Sequence, residues 1–167
     1  MTQWQLRQCK GFSLIELVAV MLLVGILSAV VIPRMASVSV YDTRGVRDDS
    51  ISFLRFSQKI AIAQRRWVQV SGTGTGLQAH YCSGSLCSTS LGTCVLAVAD
   101  PISGQPYQVV PPSNVTVSQP AAFYFDCEGR PVDAAGSSIP TLAVTVSSSD
   151  GQSTGLTLEA ETGYAHP

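Results

Sequence analysis

Two apolar patterns of different period divide this chain. From Leu17 to Ile32 no residue is charged, and only Gly25 and Ser28 interrupt large or branched apolar side chains. Wound as an α-helix, the 21 residues from Phe12 to Ile32 extend roughly 31 Å, enough to cross a bilayer's hydrocarbon layer. One carboxylate, Glu16, lies inside that run, where a charge costs on the order of 2.5 kcal/mol or more in lipid. From Val38 to about Val70 the pattern becomes that of an amphipathic helix. Phe53, Phe56, Ile60, Ala63 and Trp67 follow alternating three- and four-residue steps, and Leu54, Ala61 and Val68 widen the stripe. Arg55, Lys59 and Arg66 fall elsewhere around the wheel, and Asp48, Asp49 and Ser50 suit a helix N-terminus. The aromatic stripe reads as a face packed on a sheet. Pro33 has no amide hydrogen for the backbone ladder and allows a kink between the two helices, with Gly45 as a second soft point.

Beyond Val70 the period shortens. Ser71-Gly72-Thr73-Gly74-Thr75-Gly76 is expected to end the helix as a flexible turn, since no Gly-Lys-Ser/Thr follows to make a phosphate cradle. Strand-like runs then recur at Leu77–Cys82, Thr93–Ala99, Tyr107–Val110, Asn114–Val117, Ala122–Cys127, Thr141–Ser147 and Gly155–Ala160, with prolines as breaks. Val144/Val146 and Leu156/Leu158 alternate with neighbours that face the other way, as in strands with one face on a core. Helix first and antiparallel sheet afterwards predicts an α+β fold: a long N-terminal helix, half membrane-type and half amphipathic, packed on an antiparallel β-sheet head.

Charge adds a polarity to this layout. The chain has 167 residues and a net charge of −1, and about 135 residues follow Ile32. Residues 34–66 hold seven basic and three acidic groups, whereas 67–167 hold only Arg130 against seven acids. A basic stalk and an acidic head result. Arg7 and Lys10, with no acid beside them, hold the first residues on the cytoplasmic side and send the remainder to the periplasm. A secretory signal peptide does not explain the run, because Ile32-Pro33-Arg34 is a poor cleavage site, and a plain membrane anchor gives no reason for Glu16.

Gly11-Phe12-Ser13-Leu14-Ile15-Glu16-Leu17, behind a short basic leader and ahead of the apolar run, resembles the prepilin signal of type IV pilins and type II secretion pseudopilins. The resemblance implies cleavage after Gly11 by a prepilin peptidase and N-methylation of Phe12. It implies that Glu16 pairs with the terminal amine of a neighbouring subunit, and it places Gly25 and Pro33 where the family carries helix-loosening residues. The organisation it implies is a leader at 1–11, a transmembrane and assembly helix at 12–33, an amphipathic helix at 34–70 continuing it as one spine, and a periplasmic β-rich head at 71–167. Its implied partners are the peptidase, other pilin subunits, the inner-membrane assembly platform and, before assembly, inner-membrane lipid. The final location is a pilus or a periplasmic pseudopilus. Phe123 to Pro131 and Thr162-Gly163-Tyr164 resemble the head pattern of minor pseudopilin H and its pilus relatives. The overall order resembles minor pilins of the mannose-sensitive haemagglutinin (MSHA) pilus.

Cysteine and carboxylate positions supply the remaining candidates. Cys9 lies in the leader, leaving Cys82, Cys87, Cys94 and Cys127 as an even set in an oxidising compartment. Of three connectivities, Cys82–Cys87 with Cys94–Cys127 is the favoured one. A zinc site from His80, Cys82, Cys87 and Cys94 has suitable ligand types but an unusual spacing. Asp126, Glu128 and Asp133 are hard oxygen ligands without a recognisable calcium loop. The expectation is therefore no metal and no cofactor. Nothing resembles a nucleophile elbow, so no enzyme is expected. DNA capture is disfavoured because Arg130 stands alone among seven acids in the head.

Overall fold

The computed structural model describes residues 13–35, 38–74, 76–84, 92–118 and 121–167, with the side chains of 29–39 outside that description. Two units make up the chain, Met1–Val38 and Ser39–Pro167. The first contains helix α1 (Leu14–Met35), whose opening turn forms as the Ser13 carbonyl accepts from the amides of Glu16 and Leu17 (3.0 and 3.2 Å). Pro33 lies inside α1, which runs on to Met35.

The second unit is built on helix α2 (Val38–Gln64). Its buried stripe runs through Thr43, Val46, Ser50, Phe53/Leu54, Ser57 and Ala61, again in three- and four-residue steps. Two positions in the stripe are serines. Ser50 Oγ donates to the Val46 carbonyl (2.7 Å) and Ser57 Oγ to that of Phe53 (2.9 Å), so each hydroxyl is satisfied by its own helix and is buried without an orphan donor. This stripe is rotated from the expected one: Phe56 and Ile60 are only half-buried, Ala63 is exposed, and Trp67 lies beyond the helix. Asp48 and Asp49 sit mid-helix, not at an N-terminus, and Gly45 lies within α2.

The expected helix over 34–70 ends early. Arg65 adopts φ 51°, its amide donating to Ile62 and that of Arg66 to Ala61 (3.2 and 3.1 Å), the paired bonds of a left-handed helix stop. Strand β1 (Val68–Gly72) begins three residues later, with Val68 and Val70 pointing into the core. Val68 therefore belongs to a period-two pattern that overlaps the helical one in sequence.

All strand pairs are antiparallel. One sheet has the order β3-β2-β1-β6-β7, from β1, β2 (Leu77–Cys82), β3 (Cys94–Ala97), β6 (Phe123–Phe125) and β7 (Pro131–Val132). β4 (Gln108–Val109) pairs with the first half of β2, on Leu77 and Gln78. The other sheet has the order β10-β9-β8-β5, from β5 (Val115–Ser118), β8 (Leu142–Ser148), β9 (Ser153–Leu158) and β10 (Ala165–His166). α2 contributes Val46, Ile51, Phe53, Leu54 and Ala61 to a core shared with both sheets. The glycine-rich stretch does not end a helix; it turns β1 into β2, pairing Gly72 with Leu77. Strands β1, β7 and β10 were not expected.

The pairing of cysteines also differs from expectation. Cys82 and Cys94 lie opposite each other in the β2–β3 register and form a disulfide. That excludes both Cys82–Cys87 and Cys94–Cys127. Cys127 is disulfide-bonded as well, and Cys87 lies outside the described residues. The expected pairing closed one short loop and tied Cys94 to Cys127 across two strands, whereas the bond follows the β2–β3 register.

One α2 side chain joins the helix to two turns. Gln58 Nε2 donates to the carbonyls of Gly129 (2.9 Å) and Thr162 (2.6 Å). Gly129 closes the β6–β7 turn, and Gly163, at φ 63°, packs on it. A Cβ at Gly163 would overlap the Gly129 carbonyl and stand 2.7 Å from Gln58 Nε2 and 3.2 Å from the Phe125 ring. Gly163→Ala combines that overlap with a disfavoured φ and should destabilise the fold by about 3 kcal/mol in chemical denaturation. A loss below about 1 kcal/mol would mean that the turns are not held in this contact.

Candidate functional site

The surface of α1 is the first candidate. Every described side chain from Ser13 to Ser28 is exposed, including Leu14, Ile15, Met21, Leu22 and Ile26. Moving each such side chain out of water is worth roughly 1.5–3 kcal/mol, so this face strongly favours an apolar covering. Glu16 is the single charged group on it. Ser28 Oγ donates to the Val24 carbonyl (2.7 Å), which removes a free polar atom from the apolar face. Nothing approaches the position of a Cβ on Gly25, and the notch left there is bordered by Val18, Met21, Leu22 and Ile26. Gly11 and Phe12 lie outside the described residues, as does the side chain of Pro33. Among the described residues, no helix is long and apolar enough to cross a membrane.

In the second unit the candidate ligands are already engaged. Cys82 and Cys94 are oxidised together and offer no thiolates to a zinc ion, while His80 lies on β2 opposite Ala97. The calcium candidates are turn-builders. Asp126 Oδ1 accepts from the amides of Glu128 and Arg130 (2.9 and 2.8 Å), and Oδ2 accepts from Arg130 Nε (3.0 Å). Asp126 is 7% exposed, and this saturation is what allows a carboxylate to be buried there. Asp133 Oδ1 likewise accepts from Ala135 and Ser137 (2.8 and 2.9 Å). Glu128 pairs with Arg130 at 2.6 Å from an exposed position. Among the described residues, no three His, Cys, Asp or Glu groups are placed to share a metal ion.

Two perturbed groups lie near the β3–β4 connection. The Ser103 hydroxyl, with the Ile102 amide, holds the Asp100 carboxyl below its usual range. Burial pushes the Tyr107 hydroxyl up, its ring stacked on Phe53 at 5.3 Å and set edge-on to Phe56 at 4.7 Å. Local hydrogen bonds explain the first and local packing the second. Reading from sequence missed Gln58, and placed Arg55 off the apolar stripe without any contact. A lone sequence carries no signal for carbonyl-binding amides, because their partners lie 71 and 104 residues away.

Residues 6–32 match the family model described as the prokaryotic N-terminal methylation motif. No curated protein matches the chain in sequence. A crystal structure of the type IV minor pilin FimU from Pseudomonas aeruginosa is similar over 75% of this chain and 87% of that one, at 14% identity and a TM-score of 0.50. A second crystal form of FimU aligns over 74% of this chain and 90% of that one, at 13% identity and a TM-score of 0.49. The chain thus carries a prepilin-type methylation motif ahead of a pilin-like α+β fold.

Proposed function

We propose that this chain is a minor pilin of a type IV pilus, of the MSHA type, working as a structural subunit and not as an enzyme. The observation that carries the reading is Glu16, the lone acid on an exposed apolar helix inside the methylation motif. In this reading residues 1–11 are a leader cut after Gly11 by a prepilin peptidase, and Phe12 becomes the methylated N-terminus. The uncharged stretch Leu17–Ile32 holds the precursor in the inner membrane with residues 34–70 and the head at 71–167 in the periplasm. The assembly platform then transfers the subunit into the filament.

Transfer exchanges lipid for neighbouring helices around the same side chains, so the apolar face changes partners at little net cost. Glu16 supplies direction. In lipid its charge is unfavourable, whereas beside a neighbour's N-terminal amine it is paired. A single ion pair in an otherwise apolar contact sets the axial register, because any slip leaves two charges unpaired. Gly25, with open space where a Cβ would stand, suits close approach of a second helix. The MSHA assignment draws on the overall order of the chain, with its cysteines and the Thr162-Gly163-Tyr164 ending.

Gly11→Leu should block processing, so that the subunit migrates on a gel as the longer precursor; migration with the processed form would refute cleavage at this site. Glu16→Val should leave processing intact. It relieves the charge in the membrane and strands the neighbour's amine in the filament, two effects of one sign. Incorporation into sheared pili should fall by roughly tenfold or more. Equal amounts of mutant and wild-type subunit in sheared pili would remove the basis of the reading.

A further inference from the structure

The β9–β10 connection gathers an ion pair, an aromatic stack and a guanidinium around two residues of strand. β10 is short, yet Ala165 is fully buried, its register partner being Leu158 while His166 pairs with Thr157. Arg55 reaches over from α2. Its Nε donates to the Ala165 carbonyl (3.0 Å) and its terminal nitrogen to the Tyr164 hydroxyl (2.9 Å), with the guanidinium 4.7 Å from the centre of the Tyr164 ring. The Tyr164 ring is also stacked with that of His166, at 5.8 Å and 20°.

The two nitrogens of His166 face two acceptors. Nε2 lies 2.9 Å from Glu159 Oε1, and Nδ1 lies 3.1 Å from the main-chain oxygen of Pro167. An ionised carboxylate and a main-chain oxygen have no proton to give, and a neutral imidazole has only one N–H. Both contacts are therefore hydrogen bonds only in the imidazolium form. On deprotonation one of them becomes a repulsion between lone pairs.

We propose that His166 and Glu159 form a pH-responsive latch that pins β10 on β9 when His166 is protonated and loosens it when the proton leaves. Arg55 is the opposing charge on the α2 side, and Asp48 lines the same groove with Ile51, Ser52 and Pro167. Arg55 donates to Ala165 and Tyr164, so it anchors the segment by a route separate from the His166–Glu159 pair. The latch thus governs the outer half of the β9–β10 turn, not the whole core.

The direction of the pH dependence follows. The Glu159 hydrogen bond, then that to Pro167, hold His166 above its ordinary value of 6.5, against burial and the repulsion of Arg55. Stabilisation of the segment is complete below about 6.5 and is lost as pH rises through the higher value of the folded chain. His166 and Glu159 are 35% and 45% exposed, so solvent screens the pair and the change is modest. A latch confined to residues 159–167 and α2 operates whether or not the chain is a filament subunit.

The test uses the full chain in detergent micelles. NMR titration should place His166 above 6.5, with His80→Gln identifying the other histidine, and Glu159→Gln should return it towards 6.5. Amide exchange, corrected for its intrinsic pH dependence, is read at Glu159 and Gly163. Their N–H groups donate to the Tyr164 and Glu159 carbonyls (3.1 and 2.9 Å). Exchange should accelerate about threefold across the His166 titration in the wild type, and should do so in neither Glu159→Gln nor His166→Gln. A titration at or below the ordinary value, or the same pH step surviving in His166→Gln, overturns the latch.

Discussion

One helix face has to cover two sheets, and the rest of the second unit follows from that demand. Val46, Ile51, Phe53, Leu54 and Ala61 enter a core that also takes Val70, Leu77 and Phe125 from one sheet and Val144, Leu156 and Leu158 from the other. Thr43, Ser50, Ser57 and Ala61 are the small members of the same buried strip, and the serines bury their hydroxyls against the helix's own carbonyls. Polar edges of the strip then reach sideways. Arg47 contacts Thr154, Arg55 holds Ala165, and Gln58 ties together the turns at Gly129 and Thr162. The sheets are thus joined through the helix by apolar contact at the centre and by amide and guanidinium groups along the flanks.

Turn chemistry completes the arrangement. Asp126, Asp133 and Ser148 each begin a tight hairpin, and each side-chain oxygen accepts an amide two residues on. The acids that make the head negative are in part committed to shaping its loops. Arg130 is half exposed, so its pairing with Asp126 contributes little beyond the backbone bonds that the same carboxylate accepts.

The α+β class, the order of helix before strands and the bounds of β2 were legible because they rest on local periodicity. Glu16 stands out in the sequence for a different reason: a carboxylate in an apolar run is conspicuous whatever its partner. What escaped depended on distant partners. Val68 and Val70 continue the helical stripe on paper, and only the reversal at Arg65 assigns them to a strand. Ser50 reads as part of a helix N-terminus until its hydroxyl bond to Val46 places it inside the buried strip. β7 and β10 are two residues each, too short for any pattern, and exist because β6 and β9 offer them ladders. The Cys82–Cys94 bond is a statement about β2–β3 register, which loop length does not encode.

The chain leaves α2 and enters β1 within three residues, and β1 lies inside its sheet between β2 and β6. Tension along the helix axis therefore reaches the sheet at an interior strand flanked by ladders on both sides, not at a margin that could be unzipped one bond at a time. The covalent tie between Cys82 and Cys94 then carries the load one strand further, from β2 to β3. A domain wired in this way is suited to being towed by its helix.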